Sequence, residues 1–308
     1  MDMFIEILKA ILIGVVEGVT EWLPISSTGH MILVDEFVKL DVSSTFLELF
    51  LVVIQLGAIM AVLILYFHKL NPFSSKKTDV ERRSTWRLWG MVVIGCIPAA
   101  AIGLTLDDFF NEHFYNAWTV AIALIVYGVV FIVLERRNRA RVAAARMRLA
   151  EGVQGNAQGD DFDEDSLFRV RTVDDIDWKT ALKIGCFQML AIIPGTSRSG
   201  STIIGGMLCG CSRTAATEFT FFLAIPVMFG WGVLKTIKYI AELGLVMSAT
   251  EIAVLVVGIA TAFVVSVISI KFLMGYIKKN DFTAFGWYRI VVGLVVLAYF
   301  GVKAAGLM

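Results

Sequence analysis

Apolar residues fall along the chain in long blocks. A helix needs about 20 consecutive apolar residues to cross a bilayer, because each residue advances it about 1.5 Å. Six blocks reach or approach that length, at 49–67, 88–106, 117–134, 219–234, 252–270 and 284–302. The fourth stops short at Lys235 and the last carries Arg289, so pattern alone does not fix their ends. Two further regions, 4–34 and 181–209, are apolar but broken. Glu17, Glu21, Pro24 and His30 interrupt the first; Gln188, Pro194 and Arg198 interrupt the second. Each breaks at a Pro followed by Ser, Thr and Gly, which predicts two half-helices meeting at a turn within the membrane. Irregular backbone survives at that depth only where protein or a water-filled cavity surrounds it.

The two broken regions resemble each other. Ile13-Gly14-Val15-Val16-Glu17 aligns with Ile184-Gly185-Cys186-Phe187-Gln188, and Pro24 with Pro194. Ser26-Ser27-Thr28-Gly29 aligns with Ser197-Arg198-Ser199-Gly200, and Glu48-Leu49-Phe50 with Glu218-Phe219-Thr220. The pattern predicts an all-α polytopic membrane protein with an inverted-topology repeat, about six transmembrane helices and two broken re-entrant pairs. Residues 1–134 form the first repeat, 135–177 a cytoplasmic polar linker and 178–308 the second, inverted repeat. Three spans per half force the halves into opposite orientation, and paired discontinuous segments then point to the functional site. Lys69, Lys76, Lys77, Arg82, Arg83 and Arg87 follow the first span, and Arg136 to Arg148 supply six more cations after the third. Lys278 and Lys279 lie between the last two spans, whereas 107–115 and 241–251 hold no Lys or Arg. Basic loops stay inside. Both termini are therefore expected outside, with the first re-entrant pair entering from outside and the second from the cytoplasm.

Composition agrees with this reading. Of 308 residues, 57% are hydrophobic and 18% charged, and mean hydropathy is +0.76. Those values exclude a disordered, fibrous or disulfide-rich secreted chain, and one soluble core could not hide so much apolar surface. With 27 Lys+Arg against 27 Asp+Glu and no basic arm, nothing points to nucleic acid. Cys96, Cys186, Cys209 and Cys211 lie in or beside apolar stretches without CxxC spacing, and read as small hydrophobes. Asp2 and Glu6 stand where a signal peptide carries basic residues. The stretch 135–177 runs from Arg-rich helical sequence through a Gly-containing segment to the acidic run 160–165, which lacks EF-hand spacing. It reads as a solvated connector whose arginines meet anionic lipid.

The chemistry-bearing residues concentrate at the breaks. Glu17 and Glu21 share a helix face. Two carboxylates inside a membrane segment are costly unless they bind something, and hard oxygen ligands suit Mg²⁺ or Ca²⁺. Ser26, Ser27, Thr28 and Gly29 supply hydroxyls and amides at a helix start, either as an anion site or as ordinary caps. Ser27 and His30, three residues apart, match a nucleophile with its base. In the partner break, Thr196, Ser197, Arg198, Ser199 and Gly200 place a guanidinium inside an apolar region. Its fork matches phosphate oxygens, and an ion pair with Glu17, Glu21 or Glu218 is the alternative. Glu48 and Glu218 start symmetric spans as partners of the site or as dipole-favoured interfacial acids. Carboxylates, hydroxyls, one imidazole, one guanidinium and amides at membrane depth suit a phosphate ester or diphosphate with a divalent cation. A substrate that reaches the bilayer interior suggests a lipid phosphate.

The segments 17–30, reading EGVTEWLPISSTGH, and 194–200, reading PGTSRSG, closely resemble the two signature motifs of the undecaprenyl-diphosphate phosphatase family of bacitracin-resistance membrane proteins. The resemblance covers almost the whole chain, including 48–64 and 218–226. Trp22 stands where the family commonly has Phe, and the 135–178 loop is longer than typical. The resemblance implies hydrolysis of undecaprenyl diphosphate to undecaprenyl phosphate and phosphate on the outer face of the bacterial plasma membrane. That reaction recycles the lipid carrier of cell-wall synthesis and gives bacitracin resistance. On these motifs Glu17 and Glu21 would hold the cation, while Arg198 and the amides around Thr28 and Ser197 would bind developing phosphate charge. Ser27 is the preferred nucleophile with His30 as base; attack by water or by His30 is the rival. The opposing class is a polyprenyl-phosphate transporter, or flippase, using the same anion site. The oligomeric state is left open, a homodimer included.

Overall fold

A computed structural model describes residues 3–152, 164–244 and 247–306. Eleven α-helices follow one another along these residues, and no strand occurs among them. The chain opens with α1 (Met3–Thr20) and α2 (Ser27–Phe37), then α3 (Ser44–Leu65) and the single turn α4 (Phe67–Leu70). The long helices α5 (Asp79–Phe114) and α6 (Ala117–Gly152) complete the first half. The second half comprises α7 (Trp178–Met189), α8 (Arg198–Leu208), α9 (Arg213–Leu243), α10 (Ala249–Ile277) and α11 (Thr283–Ala304). Six helices, α3, α5, α6, α9, α10 and α11, are long and apolar enough to span a membrane. They coincide with the six apolar blocks, and α1–α2 and α7–α8 coincide with the two broken regions. The protein is a polytopic all-α membrane protein.

The outer faces explain the composition. Ile64, Leu104, Val133, Ile237, Val256, Ile268 and Val291 are each more than half exposed. Lipid tails are as apolar as these side chains, so such exposure costs nothing in a bilayer. Without a hydrophobic drive between helices, close packing of small residues holds the bundle. A Cβ on Gly185 of α7 would strike the carbonyl of Gly95 on α5, and one on Gly128 of α6 would lie 2.6 Å from the carbonyl of Gly286 on α11.

The packing exchanges between halves. Helix α1 packs on α10 as α7 packs on α5; α3 packs on α10 as α9 packs on α5. Helices α3 and α9 pack on each other, as do α6 and α11. Lys235 Nζ lies 3.4 Å from Glu48 and Lys69 Nζ 3.1 Å from Glu218, so α3 and α9 run antiparallel with one ion pair at each end.

The linker differs from a solvated connector. Helix α6 continues unbroken through Gly152, so the 134/135 boundary falls inside one helix. Glu135 is fully buried and takes both Nε and Nη2 of Arg213, at 2.9 and 2.7 Å. Val170, Val173 and Ile176 enter the core, and Val170 pairs with Cys211. The physical reason is that a buried carboxylate needs a cation, which Arg213 of α9 supplies to Glu135 of α6, and that the apolar Val170, Val173 and Ile176 bury themselves against the bundle. The Gly-containing segment and most of the acidic run lie outside the described residues.

Candidate functional site

Both breaks use the same local device. The Glu21 amide still donates to the Glu17 carbonyl at 3.0 Å, so a helical turn continues just past α1 before Pro24 ends it. Ser26 then adopts φ +74° and Ser197 φ +72°, the two non-glycine residues in the left-handed region among those described. Such backbone costs roughly 1–3 kcal/mol and persists only where surroundings enforce it. Each Ser is also an N-cap: Ser26 Oγ accepts the Gly29 amide at 3.3 Å, and Ser197 Oγ accepts the Gly200 amide at 3.1 Å. The caps aim α2 and α8 so that their first-turn amides, at Ser27–Thr28 and Arg198–Ser199, project from helix N-termini that favour anions.

The breaks are tied to each other. Ser199 Oγ lies 3.1 Å from the Glu21 carbonyl and 3.4 Å from that of Leu23, and 3.1 Å from Ser197 Oγ. Arg289 of α11 donates from Nη1 to the Pro24 carbonyl at 3.1 Å. Its Nη2 donates to the carbonyls of Gly195 and Thr196 at 2.8 and 2.9 Å. Gly195 has φ +89°, and a Cβ there would sit 2.6 Å from the Val120 carbonyl of α6, so only glycine fits.

The polar side chains form one connected group. Ser27 Oγ donates to Glu21 Oε2 at 2.7 Å. Arg198 Nη2 donates to Glu21 Oε1 at 2.9 Å, and its Nη1 donates to the Thr220 carbonyl at 3.0 Å. Thus Glu21 joins a hydroxyl of the first break to a guanidinium of the second, and the Arg198–Glu21 ion pair weighed from sequence is present. Glu17, one turn back, is 2% exposed, and its Oε1 has no hydrogen-bond partner. His30 does not bond Ser27. Its Nδ1 lies 2.7 Å from the Ser26 carbonyl, which can only accept, so Nδ1 carries the proton. Nε2 lies 2.8 Å from the Tyr288 hydroxyl, whose ring stacks on the imidazole at 5.6 Å. Thr28 is half-buried on the first turn of α2, and Thr196, Ser199 and Gly200 are buried in the second break.

Among the described residues no cluster of three His, Cys, Asp or Glu could enclose a metal ion. Glu21 has both oxygens engaged, so the chain offers one unpartnered carboxylate oxygen, on Glu17. That donor set fits an octahedral cation of the Mg²⁺ kind, which is held by one or two carboxylates together with substrate phosphates and waters.

Sequence reasoning missed two members of the group. Arg289 was legible only as an awkward charge in the last span, and Tyr288 carried no signal. An arginine inside an apolar span marks function by default, and that rule would have found the first.

Fold and site together define a polytopic membrane protein in which carboxylate, hydroxyl, imidazole and guanidinium groups from two broken helix pairs meet. Over residues 10–295 the chain matches the family described as bacitracin resistance protein BacA, and it belongs to that family. It is 54% identical over 297 residues to an undecaprenyl-diphosphatase of Enterococcus faecalis, covering 96% of this chain and 98% of that one. It is 52% identical over 300 residues to that of Desulfitobacterium hafniense, covering 97% and 98%. For that of Acetivibrio thermocellus the identity is 51% over 296 residues, covering 96% and 98%.

Proposed function

We infer that the chain is an undecaprenyl-diphosphatase, hydrolysing undecaprenyl diphosphate to undecaprenyl phosphate and inorganic phosphate in the bacterial plasma membrane. The observation that carries the reading is the hydrogen-bonded run Ser27–Glu21–Arg198, built from both breaks, in a chain whose relatives bear that name. A cavity of about 390 Å³ beside α2, lined mainly by apolar residues such as Ile13, Met31, Leu47 and Leu51 but also by Asp35 and Glu36, supports a lipid substrate. It shares α2 with Ser27, so one helix meets both the phosphates and apolar space.

In the mechanism we propose, Ser27 Oγ attacks the terminal phosphorus while Glu21 takes its proton. The anhydride P–O bond breaks, undecaprenyl phosphate leaves, and water then releases phosphate from Ser27. The 2.7 Å bond from Ser27 to Glu21 supports Glu21 as base, in place of the His30 expected from spacing. His30 stands one turn along α2 with its Nδ1–H held by the Ser26 carbonyl, and its Nε2 takes the proton of the attacking water while Glu21 returns its proton to Ser27 Oγ. Arg198 and the first-turn amides of α2 and α8 hold the equatorial oxygens as charge develops. Glu17, whose Oε1 has no partner, would hold a divalent cation, which when bound neutralises diphosphate charge, whereas both oxygens of Glu21 are engaged by Ser27 and Arg198. The site opens to the outer face, on the basic-loop rule. The antiparallel α3–α9 pair and the exchanged packing of the two halves support the inverted repeat.

The test is phosphate release from a long-chain polyprenyl diphosphate by the purified protein, with Mg²⁺, Ca²⁺ or EDTA. Release that EDTA abolishes, and that Ser27→Ala, Glu21→Ala and Arg198→Ala each lower by about 10²–10⁴-fold, supports the mechanism. No release from folded protein would shift the same residues to a lipid-phosphate transporter. Rapid turnover by Ser27→Ala would sink the serine nucleophile alone.

A further inference from the structure

Arg289 is the most deeply buried cation of the molecule's centre. It is 0% exposed, and among the described residues no carboxylate lies within ion-pair range of it. A charge in that position is expensive, and natural chains retain one inside a membrane domain only for a purpose. Its compensation comes from three backbone carbonyls and from the ring of Tyr127, whose centroid lies 5.5 Å from the guanidinium carbon. Its Nε, also buried, has no partner. The three carbonyls are not a random set. One belongs to Pro24, at the turn of the first break, and two to Gly195 and Thr196, at the turn of the second. The same guanidinium lies 3.0 Å from where a Cβ on Gly200 would be, against the first turn of α8.

We propose that Arg289 is a positioning residue that fixes the separation and register of the two breaks. Ser27 stands on one break and Arg198 on the other, and both bind the one carboxylate of Glu21. A phosphate held between them is aligned for attack only if the two turns keep their distance. Arg289 sets that distance because its two terminal nitrogens are joined by a rigid plane, one reaching each break. By consuming carbonyls it also turns the electron-rich side of each turn away, leaving amides for the anion. Its own positive charge, with no carboxylate in ion-pair range, adds to that of Arg198 and offsets the carboxylates of Glu17 and Glu21 before substrate arrives. The last span thereby becomes part of the site although it supplies no reacting atom. The proposal rests on the phosphatase reading above.

Lysine keeps the charge and loses the fork, so Arg289→Lys separates the two effects. A displacement of about 1 Å costs on the order of 100-fold in rate. Folded Arg289→Lys protein is expected to lose about that much in kcat, with KM changing by less than about threefold because the charge remains. Arg289→Ala is expected to lose turnover as well, and to recover part of it on addition of millimolar guanidinium, which can occupy the vacated plane. Recovery of activity is a response that a general folding defect would not give. Melting temperature in detergent, measured on both variants, controls for misfolding. If Arg289→Lys turns over within about threefold of the unsubstituted enzyme, or if guanidinium restores nothing to folded Arg289→Ala, the positioning role is overturned. Either result leaves the phosphatase reading standing, provided the unsubstituted protein releases phosphate in the same assay; if it does not, that reading fails first.

Discussion

Glu17 and Glu21 are one helical turn apart and alike in sequence, yet their surroundings divide their duties. Glu21 is bonded to Ser27 through one oxygen and Arg198 through the other. Glu17 keeps a buried oxygen without a partner. An unsatisfied buried acceptor costs about 1–3 kcal/mol, more when charged. Glu17→Gln is therefore expected to leave melting temperature in EDTA unchanged or raised, while lowering phosphate release in Mg²⁺ by at least about tenfold. Thermal denaturation and phosphate release on the same preparation check this; a lower melting temperature would show that Glu17 is satisfied in the free protein. The sequence placed both acids, but not this division. Spacing gives a shared face, whereas the partners of Glu21 come from α2 and α8, the latter 177 residues away.

At the scale of the element, each break combines strain with a cap on one serine. Replacing Ser197 by Gly removes the cap, worth about 1 kcal/mol, but also relieves the left-handed φ, worth a similar amount. Replacing it by Ala removes the cap and keeps the strain. Ser197→Ala is expected to melt lower than Ser197→Gly by an amount corresponding to about 1 kcal/mol, and the same order should hold at Ser26. The reverse order at both positions would mean that the hydroxyls matter for something other than capping. Pro-Ser/Thr-Gly composition was sufficient to read a break here, because those residues end helices and cap the next ones by local chemistry. That both serines take the same positive φ was not legible, since L-residues avoid it and only the packed turn enforces it. The 135–177 stretch taught the opposite lesson: its polar composition reads as solvated, but Glu135 is buried because Arg213 reaches it from another helix.

For the whole molecule, the proposed orientation sets which loops face outward. Exposed Tyr115 lies between α5 and α6, and exposed Phe73 between α4 and α5. In a variant without native cysteines, Cys at 115 should react with an impermeant maleimide in intact cells, and Cys at 73 only after permeabilisation. The opposite pattern would place the first broken pair on the cytoplasmic side and reverse the proposed face of the reaction.

The sequence by itself determined the class, the six spans, the two breaks and the kinds of chemical group gathered there. It could do so because transfer into lipid is a property of each short segment, and helix ends obey neighbours in the chain. Tertiary structure alone decided that Ser27 faces Glu21 rather than His30, that His30 faces Tyr288, and that Arg289 holds both turns. Those choices depend on which helix packs beside which, and on the few ångströms that separate a hydrogen bond from none. No local pattern encodes either.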